Sequence, residues 1–435
     1  MQKKQNTTSI IWFRNNLRIS DNVSLFKAIH HHEKVIAVYF FDPKYFEKDV
    51  FGFKKTEKFR AQFLIETITD LKENLANLNI TLLTYFSSPD EVLPKICADF
   101  SVQSIYTQKE WTRDEVDTCI AIKKKLPTVQ LIEDFDQFLY HPNAVSTNFS
   151  NIPDVFTEFR KGVEKKVKID AQIPISKLSE SNLIENLTKI PSLQELGFKT
   201  FVTHRNTAFP FKGGETEGLK RLEYYLFESK KASIYKNTRN GLVGIDYSTK
   251  FSPWLANGSI SPKMIYWKLK SYEKEFGEND STYWIVFELI WRDYFKFISL
   301  KYGSKIFKIG GILDRDYHWN FNKKGITDWI EGRTKDDFVN ANMIELKETG
   351  WMSNRGRQNV ASYFAKELLL DWRIGAAYFE SMLLDYDVHS NYGNWLYVSG
   401  VGNDPRDRKF NTQLQAQNYD GNHKFRNIWL EKTLF

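Results

Sequence analysis

The sequence predicts an α/β N-terminal doubly wound parallel sheet plus an all-α C-terminal domain. Three observations carry this. Between residues 9 and 134, short β-branched or aromatic runs alternate with amphipathic stretches, which is the mark of βαβ units. From residue 214 onward apolar residues recur at three- and four-residue spacing, the pattern of packed helices. The 435 residues also exceed what one hydrophobic core usually holds, so two domains are expected.

Taken in order, strands are expected at 9–13, 34–41, 80–85, 102–107 and 129–133, with helices between them, including a long one over 54–75. Ligands of such a sheet sit at the carboxyl ends of its strands, although no G-x-G-x-x-G follows the first strand, which disfavours a conventional dinucleotide site there. From 135 to 206 the periodicity weakens and Pro153, Pro174 and Pro191 interrupt it, so this reads as a long connector. Helices are then expected at 215–229, 261–276, 281–302, 337–349, 353–369 and 372–385. The division is 1–135 for the α/β domain, 136–206 for the interdomain connector and 207–435 for the helical domain.

Composition narrows the function. No apolar run approaches the roughly 18 residues of a membrane span, and the polar, lysine-bearing start from Met1 to Thr8 argues against secretion, so a cytoplasmic protein is expected. Cys97 and Cys119 are too few for a disulfide framework or a four-cysteine cluster. The net charge of +7 is compatible with a polyanionic partner, but 61 basic and 54 acidic residues are mostly interspersed. Phe, Tyr and Trp make up 15% of the chain, and ten of the twelve Trp follow residue 250. That bias fits either an aromatic helical core or a redox or chromophore site.

Four constellations can carry chemistry. In Tyr247-Ser-Thr-Lys-Phe-Ser-Pro-Trp254, Ser252 reads as an N-cap with Pro253 at the first helical position. Ser248, Thr249 and Lys250 there either hold a pyrophosphate or simply precede a capped helix. Trp284, Glu288 and Trp291 share a helix face, and Glu288 is either a hydrogen-bond donor to a base or the partner of Arg292 four residues on. Arg355, Arg357 and Gln358 beside Asn354 form a surface for phosphates and base edges, or an ordinary charged helix start. The polar stretch 385–397 reads as a solvated loop, or as Asp385, Asp387 and Asn391 facing a heteroaromatic ring with Trp395 beside it. His389 has no companion at metal-ligand spacing and reads as structural; no metal site is expected.

Together these segments and their order resemble the photolyase and cryptochrome superfamily over nearly the whole chain. Trp12-Phe-Arg-Asn-Asn-Leu-Arg18 with Asp21-Asn22 is similar to the family's opening motif, with Asn16 where Asp is usual. Phe211-Lys-Gly-Gly-Glu-Thr-Glu217, Tyr235-Lys-Asn-Thr-Arg-Asn240, 248–252, Glu288-Leu-Ile-Trp-Arg-Asp293, 353–359 and Asn391-Tyr-Gly-Asn-Trp395 follow in the family's order.

The resemblance implies FAD in the helical domain, held by Tyr235 and by Ser248, Thr249, Lys250, Phe251 and Ser252. It implies Arg357 paired with Asp385 beside the isoalloxazine, Asp387 at its polar edge, Asn391 facing N5, and a relay of Trp395, Trp372 and Trp319 to the surface. Gly213-Gly-Glu, Tyr283-Trp284, Gln358 and Tyr397 are similar to the DASH cryptochromes. That implies light-driven repair of cyclobutane pyrimidine dimers in single-stranded DNA, where no duplex has to be opened to flip the lesion. Glu288, Trp291, Asn354, Gln358 and Tyr397 would line the lesion pocket, with Arg355 on a phosphate. Glu110 stands where the family's carboxylate binds a methenyltetrahydrofolate antenna, in an antenna-binding N-terminal domain. The family's longer tail has no counterpart after Phe435. A monomer with no evident protein partner is expected, and the alternative activity is a blue-light receptor without repair.

Overall fold

The computed structural model describes residues 5–404 and 406–430. Five strands, β1 (Gln5–Phe13), β2 (His32–Phe40), β3 (Leu82–Tyr85), β4 (Val102–Gln108) and β5 (Gln130–Asp134), form one parallel sheet in the order β3-β2-β1-β4-β5. Each lies within a few residues of its expected position. The near-continuous apolar runs of β1 and β2 reflect a sheet covered on both faces. Ile11 and Phe13 of β1 point to one core, shared with Ile68, Leu71 and Leu75 of the Lys58–Asn77 helix. Ile10 and Trp12 point to the other, shared with Leu93, Ile96, Cys119 and Ile122.

Because the order reverses between β1 and β4, the loops after those strands diverge and leave a crevice at their carboxyl ends. Arg14 and Asn15 follow β1, and Glu110 follows β4. The loop after β1 is clamped to the helical half. Arg18 is buried and donates to the carbonyls of Gly258 (3.0 Å), Asp21 (2.8 Å) and Asp136 (3.1 Å), and its guanidinium pairs with the Asp136 carboxylate at 3.0 Å. Gly258 has φ +75°, and a Cβ there would lie 1.9 Å from the Asn15 carbonyl oxygen, so only glycine permits this approach. Asn16, at the position of the usual Asp, accepts from the Arg14 amide at 3.0 Å.

The helical half is built around the Asp280–Tyr302 helix, whose cap Asn279 accepts from the amides of Ser281 and Thr282. Several boundaries differ from expectation. The 215–229 and 353–369 segments each begin as an α-helix and end in a wider π turn, Tyr224–Glu228 and Tyr363–Glu367. The 372–385 helix stops at Met382. The connector holds the Phe156–Lys166 helix, whose stripe of Phe156, Phe159 and Val163 is buried but too short to stand out among Pro153 and the lysines. Phe251, not Ser252, is the cap residue of the Ser252–Asn257 helix. The solvated-loop reading of 385–397 is also overturned: Val388–Ser399 is a helix, started by Asp387 accepting from the Ser390 amide at 2.8 Å. Among the described residues no helix is long and apolar enough to cross a membrane.

Candidate functional site

The Val388–Ser399 helix aligns Asn391, Asn394, Trp395 and Val398 along one face by its three- and four-residue spacing. Together with Asn354, Arg357 and Gln358 of the Asn354–Ser362 helix, and with Asp385 and Asp387, they line one crevice. Arg357 Nη2 donates to Asp385 Oδ2 at 3.0 Å while its Nε donates to the Met352 carbonyl at 2.9 Å, which fixes the guanidinium plane. Asn391 is held by its amide nitrogen, which donates to the Ala376 carbonyl at 3.0 Å.

Asp387 accepts from Lys296 Nζ at 2.6 Å; Lys296 is buried and the Asp387 side chain is mostly so. Burial alone would push the Asp387 carboxyl up; Lys296, foremost among its neighbours, outweighs that and holds it below the usual carboxylate range. Sequence reasoning missed Lys296, because its partner lies 91 residues away and a lysine in a long helix reads as solvated.

The 248–252 segment lies outside the crevice lining and is held by a second residue that was missed. Arg221, buried, donates to the carbonyls of Ile245 (3.0 Å), Ser248 (3.3 Å) and Thr249 (3.1 Å) and pairs with Asp246 at 2.8 Å. This fixes the loop by its carbonyls. Lys250 has φ +64° and is fully buried, with Nζ 3.2 Å from the Tyr247 ring centroid and 4.5 Å from that of Trp351. Its Nζ has no hydrogen-bond partner among the described residues, and burial holds its pKa well below the ordinary lysine value. Glu345 is buried nearby, its carboxyl pushed up to about 8 by burial against the pull of Lys250 and Arg357. Phe251 and Tyr235 are buried in the core behind this loop, while Ser248, Thr249 and Ser252 are partly exposed.

Glu288 does not pair with Arg292. Its carboxylate meets Arg239, and Arg292 instead donates to the carbonyls of Gln137 (2.6 Å) and Leu255 (2.9 Å). Trp291 has one face covered by Phe156, with ring centroids 3.6 Å apart and planes 9° off parallel, and Tyr397 meets it edge-on at 6.4 Å. Arg355, expected on a phosphate, is engaged inside the protein by Asn240 (3.1 Å) and Gln358 (2.9 Å). Glu288, Trp291 and Tyr397 lie outside the crevice lining.

Trp395 and Trp372 are buried; Trp319 is half-buried, and its neighbour Asn320 bonds the Leu369 carbonyl at 2.6 Å, close in the chain to Trp372. Trp329, which sequence reasoning passed over, is also fully buried and lies 6.3 Å from Trp395.

A second, larger cleft of about 1260 Å³ opens at the carboxyl edge of the sheet. Arg14, Gln108 and Glu110 line it from the sheet side, and Lys296, Asp387 and His389 from the helices. Glu110 Oε1 accepts from Gln108 Nε2 at 2.6 Å and from Asn15 Nδ2 at 3.3 Å. The first turn of the Val388–Ser399 helix thus borders both cavities.

Residues 9–177 match the family model for DNA photolyase, and residues 284–433 that for the FAD binding domain of DNA photolyase. A cryptochrome DASH from Xenopus laevis is 44% identical over 97% of this chain and 82% of its own length. A chloroplastic/mitochondrial cryptochrome DASH from Arabidopsis thaliana is 41% identical over 99% of this chain and 77% of its own. The crystal structure of a Synechocystis cryptochrome superposes with a TM-score of 0.93 at 41% identity, covering 99% of this chain and 89% of that one.

Proposed function

The chain belongs to the photolyase and cryptochrome superfamily, among the DASH cryptochromes, and from that premise we propose that it repairs cyclobutane pyrimidine dimers in single-stranded DNA under light, with FAD in the helical crevice and methenyltetrahydrofolate in the cleft at the sheet edge. The observation that carries this reading is the crevice itself, where Arg357, Asp385, Asp387, Asn391 and Trp395 line one space with Asn354 and Gln358, and where Asp387 is held by Lys296 from the neighbouring cleft.

The residues fit FAD. Lys250 offers a buried amine without a hydrogen-bond partner among the described residues, next to the hydroxyls of Ser248 and Thr249; an anion such as a pyrophosphate would hold it protonated. When bound, the reduced flavin supplies the light-driven electron that opens the dimer, with no net redox change. The chain's own residues do the rest. Tyr235, Phe251 and Ser252 shape the phosphate end, Arg357 and Asp385 fix one flank, and Asp387, kept charged by Lys296, accepts from a ring N–H. Asn391 faces the ring's reactive edge.

Glu288, which meets Arg239, would hydrogen-bond the dimer, with Trp291 and the Tyr397 ring that meets it beside the lesion. Trp395, Trp372 and Trp319 form the path by which the cofactor is reduced from the surface. On the sheet side, the Glu110 carboxylate accepts from the pterin. A single strand suits such a pocket because its bases need no unpairing.

A receptor without repair is the second reading. It is favoured by Arg355 being bonded to Asn240 and Gln358 and by Phe156 on Trp291, which leave fewer groups for DNA. Illuminated repair of a dimer-bearing oligonucleotide, single-stranded and duplex, decides. Repair of the single strand alone is expected; repair of neither, with normal flavin photoreduction, would select the receptor.

A further inference from the structure

We propose that His389 is a ligand-binding residue of the cleft at the sheet edge, where its Nε2 accepts a hydrogen bond from a ring or amino N–H of the bound chromophore. The inference rests on the reading of that cleft as an antenna site.

Ser299 Oγ accepts from Trp111 Nε1 (2.7 Å) and has one proton for two neighbours, the Lys296 carbonyl (2.8 Å) and His389 Nδ1 (2.7 Å). With that proton on the carbonyl, Nδ1 carries the hydrogen, and this is the tautomer the proposal takes. Burial, with Lys296 and Arg292 nearby, holds the ring's pKa well below its ordinary value, which favours the neutral imidazole, and in that tautomer Nε2 is a bare lone pair. Trp111 stacks on the ring with centroids 4.4 Å apart and planes 15° off parallel, which locks its plane.

Nε2 is buried and has no partner among the described residues, on a side chain that lines the cleft. A buried acceptor left without a donor is costly, so the site favours a ligand that supplies one.

A second wall residue points the same way. Gln108 Nε2 donates to Glu110, which settles the orientation of the amide, and leaves Gln108 Oε1 as another buried acceptor without a partner among the described residues. With the Glu110 carboxylate, the wall offers three acceptors. It matches a heterocycle with adjacent N–H donors, such as an amino-oxo-pterin. A flavin edge, with one N–H between two carbonyl oxygens, would set oxygens against those acceptors.

The test is spectrophotometric titration of the FAD-loaded full chain with 5,10-methenyltetrahydrofolate, in wild type, His389→Phe and His389→Gln. Phe keeps a ring against Trp111 but has no acceptor; Gln loses the ring but carries an oxygen near the position of Nε2. Affinity should fall roughly tenfold in His389→Phe, about one buried hydrogen bond, and stay within about threefold of wild type in His389→Gln. Equal affinity in all three, or a larger loss for Gln than for Phe, overturns the assignment while leaving the antenna reading intact. If the wild type takes up no folate, the antenna reading falls and the inference with it.

Discussion

Gly375 lies so close to Trp395 that a Cβ on it would sit 2.3 Å from Trp395 Cη2. The glycine is one turn into the Trp372–Met382 helix, so its missing side chain lets the buried indole rest on that helix. Gly375→Ala improves local helix propensity by up to about 1 kcal/mol. The clash outweighs this, because overpacking a tight core costs roughly 1–3 kcal/mol. The variant should melt at a lower temperature, and its flavin photoreduction should be slower because Trp395 is displaced. Unchanged photoreduction would remove Trp395 from the relay or show that the helix yields instead.

Lys296→Met leaves the mostly buried Asp387 carboxylate without its cation, a loss of roughly 3–5 kcal/mol. Denaturant unfolding of the FAD-free chain measures it, and the double variant Lys296→Met, Asp387→Asn should recover part of the loss. Asp387 has a depressed pKa, so the stability it contributes is present above its unfolded value of about 3.9 and is lost as pH falls through the lower folded value. Lys296→Met should therefore make the chain less sensitive to acid in that range.

Glu345 has the opposite sign. Its folded value of about 8 lies above its unfolded value of about 4.3, so the stability linked to its protonation is full below the latter and is lost as pH rises through the former. Glu345→Gln should flatten the stability of the FAD-free chain across that window and raise it at pH 9, by an amount of order 5 kcal/mol at most. A wild-type curve already flat between pH 5 and 8 would contradict this.

Glu288→Gln should slow single-turnover repair of bound dimer roughly 10- to 100-fold, the value of a hydrogen bond to a charged species, with FAD content unchanged. Unchanged single-turnover repair counts against its role.

The strands were legible because a sheet covered on both faces needs unbroken apolar runs, and residues 10–13 and 35–40 supply them. The Val388–Ser399 helix was harder to read. Asn391, Gly393 and Asn394 are weak helix formers, and the element is held by the Asp387 cap and by packing against the Asp280–Tyr302 helix. The Asp387-to-Ser390 spacing was the cue available. The Arg292 alternative for Glu288 fails for a similar reason: Arg292 stands at the right helical spacing, but two distant carbonyls claim it, and Arg239 arrives from another segment. Local spacing reports neighbours along one helix and is silent on what the fold brings from elsewhere.

Arg18 ties the loop after β1 and Asp136 to the helical half through the Gly258 carbonyl, so neither half can rock against the other without breaking a buried hydrogen bond of a charged group. Two chromophores seated on either side of such a joint would keep a constant mutual angle. The efficiency of excitation hopping between them should then hold steady on warming and vanish abruptly, in the same transition that takes both halves apart.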